Sequence, residues 1–367
     1  MKYVFDSREV KPGMGFVALK GEKVDGHDFI DAAKAAGAVD IIDGLDELQR
    51  RARERRRSLK AKVVALTGSA GKTTTKEFLK SFLGCYGTEG NYNNHIGLPL
   101  TILNSPDDGR FLVLEMGSNH PGEIKALCDI AEPDVGVIAS IGTAHIEFFG
   151  TQEGIAEEKG TLFAMTKDFN VVSSSCNQLD VLRRLSKPRL VEVDVSGGDI
   201  GCPLPGEHNK SNMMLAYTVA RELGVAHDEC VARLKGFSLP GARWRISEKW
   251  GATFIDDTYN ANPDSMIAAL DAFAATPCDG HRIAVLGDMF ELGERSLELH
   301  KKVFAHAMSL GIPLVIGVGE MSSKCLCHRV YAKLDVLKKK FRLDVSAGDL
   351  VLLKASHGMK LGELLRD

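Results

Sequence analysis

Short apolar runs separated by amphipathic stretches recur along the whole chain. Val63-Val64-Ala65-Leu66, Phe111-Leu112-Val113-Leu114 and residues 135–141 are apolar without alternation. Strands buried on both faces of a parallel sheet read this way. Residues 170–174 give one more strand. Between these runs the period lengthens. Phe78, Leu79, Phe82 and Leu83 recur at helical spacing from Lys72 onward, and Met213, Met214, Ala216, Tyr217 and Ala220 mark another helix. Toward the end, Thr253-Phe254-Ile255, Ile283-Ala284-Val285-Leu286, Leu314-Val315-Ile316-Gly317 and Val351-Leu352-Leu353-Lys354 are further buried strands. Among them Asn262 as N-cap and Pro263 at the first helical position announce the helix of Met266, Ile267, Leu270 and Phe273. Near the start, Phe16-Val17-Ala18-Leu19 reads as a strand and residues 30–36 as a short helix. Strands alternating with helices predict an α/β protein.

A chain of 367 residues is too long for one core. The pattern divides it into three α/β domains: a small N-terminal unit over residues 1–60, a central unit with a parallel sheet over 61–236, and a C-terminal unit over 237–367. The 44% hydrophobic and 26% charged composition is that of a globular protein. A net charge of −3 supplies no global field for nucleic acid. The basic run over 50–62 carries no interleaved aromatics, so it reads as a solvated helix face. Met1 leads into a polar stretch and no run approaches ~20 apolar residues, so neither a signal peptide nor a membrane span is expected. The 8 scattered cysteines suit a reducing cytosol, and the expected location is cytoplasmic. Cys325-Leu326-Cys327-His328 is the one cluster, and no second ligand pair follows at a usable spacing.

The chemistry centres on Val63 to Leu83. An apolar strand, then Thr67-Gly68-Ser69-Ala70-Gly71, then a helix opening on Lys72-Thr73 is the architecture of a phosphate cradle. Backbone N–H groups at a helix start point at an anion, and the helix dipole adds to them. Lys72 supplies a charge for the β- and γ-phosphates, and the Thr73 hydroxyl is placed for Mg²⁺. Two residues separate the glycines, where the common P-loop has four. Ligands of an open parallel sheet sit outside the carboxyl ends of its strands. Glu115 ends one strand and His145 follows another, so both fall at the phosphate end and suit Mg²⁺ beside Thr73. Ser7 and Arg8 at a strand end are either an anion site or a turn with a surface arginine. The polar loop Pro205-Gly206-Glu207-His208-Asn209 is a candidate base-recognition site. Spacing alone gives no reason to choose Lys159.

Several strings together carry a resemblance. They are Asp6-Ser7-Arg8, Asp25-Gly26-His27-Asp28-Phe29, Thr67 through Glu77, Gly90-Asn91-Tyr92-Asn93-Asn94, Glu115-Met116-Gly117, His145, Lys159-Gly160 and Leu204 through Asn209. The two most specific are Asp256-Asp257-Thr258-Tyr259-Asn260-Ala261-Asn262-Pro263 and Leu286-Gly287-Asp288-Met289-Phe290-Glu291-Leu292-Gly293. Over nearly its whole length the chain resembles the Mur ligases of peptidoglycan synthesis. Within them it is most similar to the branch that joins D-alanyl-D-alanine to UDP-N-acetylmuramoyl-tripeptide.

The resemblance implies a UDP-sugar-binding N-terminal domain, a central P-loop-type ATP-binding domain and a C-terminal Rossmann-like domain. It implies ATP contacts from Gly68, Ser69, Ala70, Gly71, Lys72, Thr73 and Thr74, with Asn209, Arg243 and Asp257 completing the nucleotide site. Substrate contacts fall to Ser7, Arg8, Asn93, Asn94, Asn260 and Asn262. Two Mg²⁺ ions would be held near Thr73, Glu115, His145 and a carbamylated Lys159. Lys72, Glu115, His145 and Lys159 would be catalytic in an acyl-phosphate mechanism. The expected partners are the UDP-sugar tripeptide and the dipeptide, with neither nucleic acid nor membrane, and the expected state is a monomer. The alternative is an amide ligase of the same fold acting on another carboxylate and amine. The feature that favours that alternative is the shortening of the first domain between Ala38 and Arg50. Other departures leave the ATP and Mg²⁺ set in place and bear on the substrates: shortening between Lys167 and Pro203, Ser173-Ser174-Ser175-Cys176-Asn177 where the family has Asn-x-Asp, Thr161 for a usual glutamate, and Lys354-Ala355-Ser356-His357-Gly358 for Lys-Gly-Ser-Arg-Gly.

Overall fold

A computed structural model describes all residues except Glu22, Gly197, Asp199 and Asp367. Its strands form three sheets. The first is small and parallel, in the order Tyr3–Val4, Gly15–Ala18, Asp40–Asp43. The second has six parallel strands in the order Tyr86–Gly87, Phe111–Glu115, Lys62–Thr67, Val135–Ile138, Phe169–Ser173, Arg189–Val193. The third also has six, in the order Arg245–Lys249, Ala252–Asp256, Leu350–Lys354, Arg282–Gly287, Leu314–Val318, Arg329–Tyr331. There only the outermost Arg245–Lys249 strand runs antiparallel to its neighbour.

The order of the second sheet sets the position of the site. The chain leaves Lys62–Thr67, runs to the far edge, and returns through Phe111–Glu115. It then crosses to the other side through Val135–Ile138. Lys62–Thr67 is therefore the point where the strand order reverses, and a crevice opens at its carboxyl end. Both faces of this sheet are covered. Val63, Ala65, Leu112 and Leu114 pack on one side, and Val64, Leu66, Val113 and Val137 on the other. That two-sided burial explains why these strands read as unbroken apolar runs. The third sheet is covered on both faces in the same way.

The predicted strands and helices are found with shifted ends. The Arg189–Val193 strand was not predicted; it sits at the sheet edge with only Val193 buried, and its exposed Arg189 and Glu192 hide the apolar signal. The basic run is a correction. It lies in a helix, Gly44–Ser58, but not as a solvated face. Arg56 is buried and donates from Nε to the Ala131 carbonyl (2.7 Å) and from Nη2 to the Glu132 carbonyl (2.9 Å). Its Nη2 also lies 2.8 Å from Asp134 Oδ2. It thereby satisfies the open carbonyl end of the Glu123–Ala131 helix. Arg55 reaches Asp107 and the Ser105 carbonyl, and Arg57 reaches Glu132. The arginines thus clamp the first unit to the second. Removing one partner of a buried pair strands the other, so Arg56→Ala is expected to cost about 3 kcal/mol. Chemical denaturation checks this, and a loss below about 0.5 kcal/mol would place Arg56 among ordinary surface residues.

The Cys325-Leu326-Cys327-His328 cluster serves the backbone. His328 Nδ1 accepts from the Val315 N–H at 3.0 Å, and the two thiols face carbonyls of Met321 and Arg329. All eight cysteines are free thiols. Among the described residues no helix is long and apolar enough to cross a membrane.

Candidate active site

The Lys62–Thr67 strand delivers the glycine loop into the crevice. Gly68 has φ +157° and Gly71 φ +79°. Gly71 is the N-cap of the Lys72–Leu83 helix and has no side chain to cap it, so the first N–H groups stay open for an anion. A Cβ on Gly71 would lie 2.4 Å from Asn212 Oδ1. Backbone conformation and contact both require glycine there. Gly71→Ala is expected to abolish the rise in melting temperature that ADP gives the wild type. A retained ADP shift, measured by thermal denaturation, would contradict this account of the loop.

The loop is braced from beside it. Ser69 N–H donates to the Ser140 carbonyl, Ala70 N–H to Ser140 Oγ, and Gly142 N–H to Ser69 Oγ, all between 2.9 and 3.0 Å. Lys72 Nζ folds back onto the Gly68 carbonyl at 2.6 Å. Burial lowers its pKa, Arg243 adds to that, and Glu115 opposes it.

Glu115 sits at the end of its strand with 2% exposure. Its Oε2 accepts from Thr73 Oγ1 at 3.1 Å, and its Oε1 accepts from Asn93 Nδ2 at 2.8 Å. The sequence placed Thr73 and Glu115 together, and the structure brings Asn93 to them. Asn94 instead caps the next helix, accepting from the Ile96 and Gly97 N–H groups.

Lys159 is also buried, 1% exposed, and donates to Ser118 Oγ at 3.1 Å. Burial, reinforced by Lys72, pushes its pKa down to about 7. A lysine with that value is half free amine near neutrality, which makes it a nucleophile. The neighbouring Glu158 accepts from the Gly122 and Ile124 N–H groups and so fixes this turn of helix.

The third unit reaches directly onto the glycine loop. Arg243 Nη2 donates to Thr73 Oγ1 at 3.0 Å, and its guanidinium stacks 3.4 Å over the Tyr259 ring. Asn262 closes a capping box on the Pro263–Ala275 helix and donates from Nδ2 to the Ser69 carbonyl. Asp264 Oδ2 accepts from the Thr143 N–H (2.8 Å) and Oγ1 (3.1 Å). His145 Nδ1 lies 2.7 Å from Glu291 Oε2, off the line of a hydrogen bond, and both residues have left-handed backbones, φ 59° and 62°. Asp257 is paired with buried Lys354 at 2.6 Å, and Lys354 also donates to the Asn260 carbonyl.

Other predicted site residues have local partners. Arg8 is exposed and bound to Asp6 by Nε and Nη2, while Ser7 opens the short helical turn that Asp6 caps. Asn209 is buried and donates to the Pro205 carbonyl at 2.7 Å, which shapes the 205–209 loop. The expected metal set does not converge as one cluster. Among the described residues no three His, Cys, Asp or Glu side chains gather as for a metal ion, and His145 faces Glu291. The sequence reading missed Lys76, Asn212, Asp264 and Lys354. Lys76 lies four residues after Lys72, one turn along the same helix face, which was the available signal.

Comparison with known proteins finds three family profiles that match in succession along the chain. The family profile described as "Mur ligase family, catalytic domain" matches residues 3–64. "Mur ligase middle domain" matches 66–199, and "Mur ligase, glutamate ligase domain" matches 242–357. A Bacillus subtilis protein named UDP-N-acetylmuramoyl-tripeptide--D-alanyl-D-alanine ligase is 32% identical over 99% of this chain and 92% of its own length. The crystal structure of MurF ligase from Thermotoga maritima in complex with ADP superposes with a TM-score of 0.86 at 31% identity, covering 99% of this chain and 96% of that one. MurF from Acinetobacter baumannii superposes with a TM-score of 0.88 at 28% identity, covering 99% and 92%. With all three family segments present in order, and their loop, strand-end and linker residues assembled around one crevice, the chain belongs to the Mur ligase family.

Proposed function

We propose that this protein is an ATP-dependent, ADP-forming peptide ligase that adds D-alanyl-D-alanine to UDP-N-acetylmuramoyl-tripeptide in peptidoglycan precursor synthesis. The observation that carries the reading is the meeting of Lys72, Thr73, Glu115 and Arg243 at the reversal point of the central sheet. Relatives that the chain matches over most of their length bear that activity in their names. In the reaction an oxygen of the tripeptide carboxylate attacks the γ-phosphorus, and the bond to the β-phosphate oxygen breaks to release ADP. The dipeptide amine then attacks the acyl carbon and loses a proton, and phosphate leaves with the former carboxylate oxygen. The barrier is mainly charge repulsion and alignment. Lys72 and the open helix N–H groups address the charge, and Arg243 brings a second cation from the third unit.

Closure of the third unit addresses alignment and keeps water from the acyl phosphate. The contacts of Arg243, Asn262 and Asp264 with the central unit are the ones closure would make. Small-angle scattering is expected to report a more compact particle with ATP and the UDP-sugar peptide than without them. Identical profiles would contradict a moving third unit.

The donor set fits a divalent cation at the helix start. Thr73 Oγ1 and a Glu115 carboxylate oxygen lie side by side, and Mg²⁺ prefers such hard oxygen donors. Thr73 and Glu115 would hold it, with a carbamylated Lys159 as a further oxygen donor, while His145 faces Glu291 instead. Bound there, Mg²⁺ would offset the phosphate charge. Carbamylation is supported by the buried, partly neutral Lys159 amine, which can bond to the carbon of CO₂ with loss of one proton. Phosphate release tests the whole reading. It is expected only when ATP, UDP-N-acetylmuramoyl-tripeptide and D-alanyl-D-alanine are all present. Release from ATP alone at the same rate would contradict it, and activity only with another acid–amine pair would replace the substrates.

A further inference from the structure

Lys76 is fully buried, with 0% exposure, on the helix that carries Lys72 and Thr73. Its ammonium has three partners. Nζ donates to the Gly90 carbonyl at 3.1 Å and lies 3.4 Å from Glu115 Oε2 and 3.3 Å from Glu77 Oε1. Glu77 is shared with Lys80, at 3.0 Å. Glu77 thus has two lysines, and Lys76 is the cation in direct contact with Glu115, with Lys72 acting on it through space. Burying a lysine with no ligand in reach is costly unless its charge is matched.

The second contact matters as much. Gly90 opens the loop that carries Asn93, and Asn93 holds the other oxygen of Glu115. The Gly117 N–H donates to the Asn93 carbonyl at 2.8 Å, and Tyr92 packs edge-on against Phe5 of the first unit at 5.6 Å. Lys76 thus ties three things together: the helix of the cradle, the carboxylate at its mouth, and a loop that continues to the first unit.

We propose that Lys76 is a positioning residue of the nucleotide site, holding Glu115 and the 90–94 loop in the one arrangement that lets the carboxylate serve a divalent cation beside bound nucleotide. The proposal rests on the metal reading given above. It assigns Lys76 no contact with substrate; its action passes through Glu115. Without it, the Glu115 side chain keeps two neutral hydrogen-bond partners, Thr73 and Asn93, at 2% exposure, and meets the Lys72 charge only through space. A buried carboxylate that loses its contacting cation turns toward water or toward other donors, and that displaces its oxygens from the place beside Thr73.

Mn²⁺ binding to the ADP complex, followed by electron paramagnetic resonance, tests this without relying on turnover. Lys76→Met and Lys76→Gln are each expected to weaken Mn²⁺ binding at least tenfold while metal-free ADP binds within threefold of wild type. In a Glu115→Gln background, Lys76→Met is expected to add no further loss. Lys76→Gln keeps a polar donor and guards against a misfolded methionine variant, with circular dichroism checking both. Wild-type Mn²⁺ affinity, or tighter binding, in a folded Lys76 variant overturns the proposal, as do additive losses in the double variant. Failure of the wild-type ADP complex to bind Mn²⁺, or full binding by Glu115→Gln, overturns the underlying metal reading instead.

Discussion

Lys159→Ala is expected to lose at least about two orders of magnitude in kcat, the scale of removing one preorganised electrostatic contact from an active site. Millimolar acetate is expected to restore part of the loss, because a small carboxylate can stand where the carbamate would. The reasoning starts from burial. Lys159 is closed off from water, donates to the Ser118 hydroxyl, and has its pKa lowered to about 7 by burial first and Lys72 second. Below that pH the ammonium dominates and cannot bond to CO₂. Above it the free amine accumulates, so the wild-type rate is expected to rise through neutrality with a limb that the acetate-rescued variant lacks. Stability follows with a definite sign. Between about pH 7 and the ordinary lysine value near 10.4, the unfolded chain binds the proton that the folded chain has lost, so this residue makes folding more favourable as pH rises. Steady-state kinetics with and without acetate settle the first part. Full activity of Lys159→Ala would remove this residue from the mechanism.

Lys72→Met is expected to cost about three orders of magnitude in kcat/KM, since the lysine meets the charge that grows on the transferring phosphoryl group. In the structure its ammonium is parked on the Gly68 carbonyl, one helical turn back along its own loop. That bond holds the side chain over the cradle, where a bound phosphate would compete with the carbonyl for it. Methionine keeps the length and loses the charge, so the helix and its core residues Phe78, Leu79 and Phe82 are expected to stay folded. A folded Lys72→Met with wild-type phosphate release would place the cradle elsewhere.

The cradle was legible because its signals are local. The apolar run, the two glycines and the change of period fall within twenty residues, and each has one physical reading. Glu115 was legible because parallel sheets present ligands at strand ends. What was not legible was long-range. Asn212 lies on a later helix, yet its amide fills the space that a side chain at position 71 would need. Asp264 looks like an ordinary acidic residue in the first turn of a helix, yet it receives both polar groups of Thr143. Arg56 and its neighbours carried a charge pattern typical of a solvated face. Only the helix ends and carboxylates that they meet, 50 and more residues away, give them a role. Lys76 was hidden for the same reason: next to Glu77 it resembles a surface ion pair, and its burial follows from the return of the 90–94 loop. The string from Gly287 to Gly293 also has an internal use. Asp288 accepts from the Met321 and Ser322 N–H groups and His300 from Met289, which locks the loop that presents Glu291 to His145.

The central claim is that a substrate carboxylate, aligned over this cradle, takes the phosphoryl group before the amide forms. Preparing UDP-N-acetylmuramoyl-tripeptide with ¹⁸O in its terminal carboxylate, running the reaction with ATP and D-alanyl-D-alanine, and weighing the released phosphate follows that oxygen directly. The account predicts one ¹⁸O per phosphate formed, matched by one amide product. Phosphate carrying no ¹⁸O, its fourth oxygen taken from solvent, would contradict it.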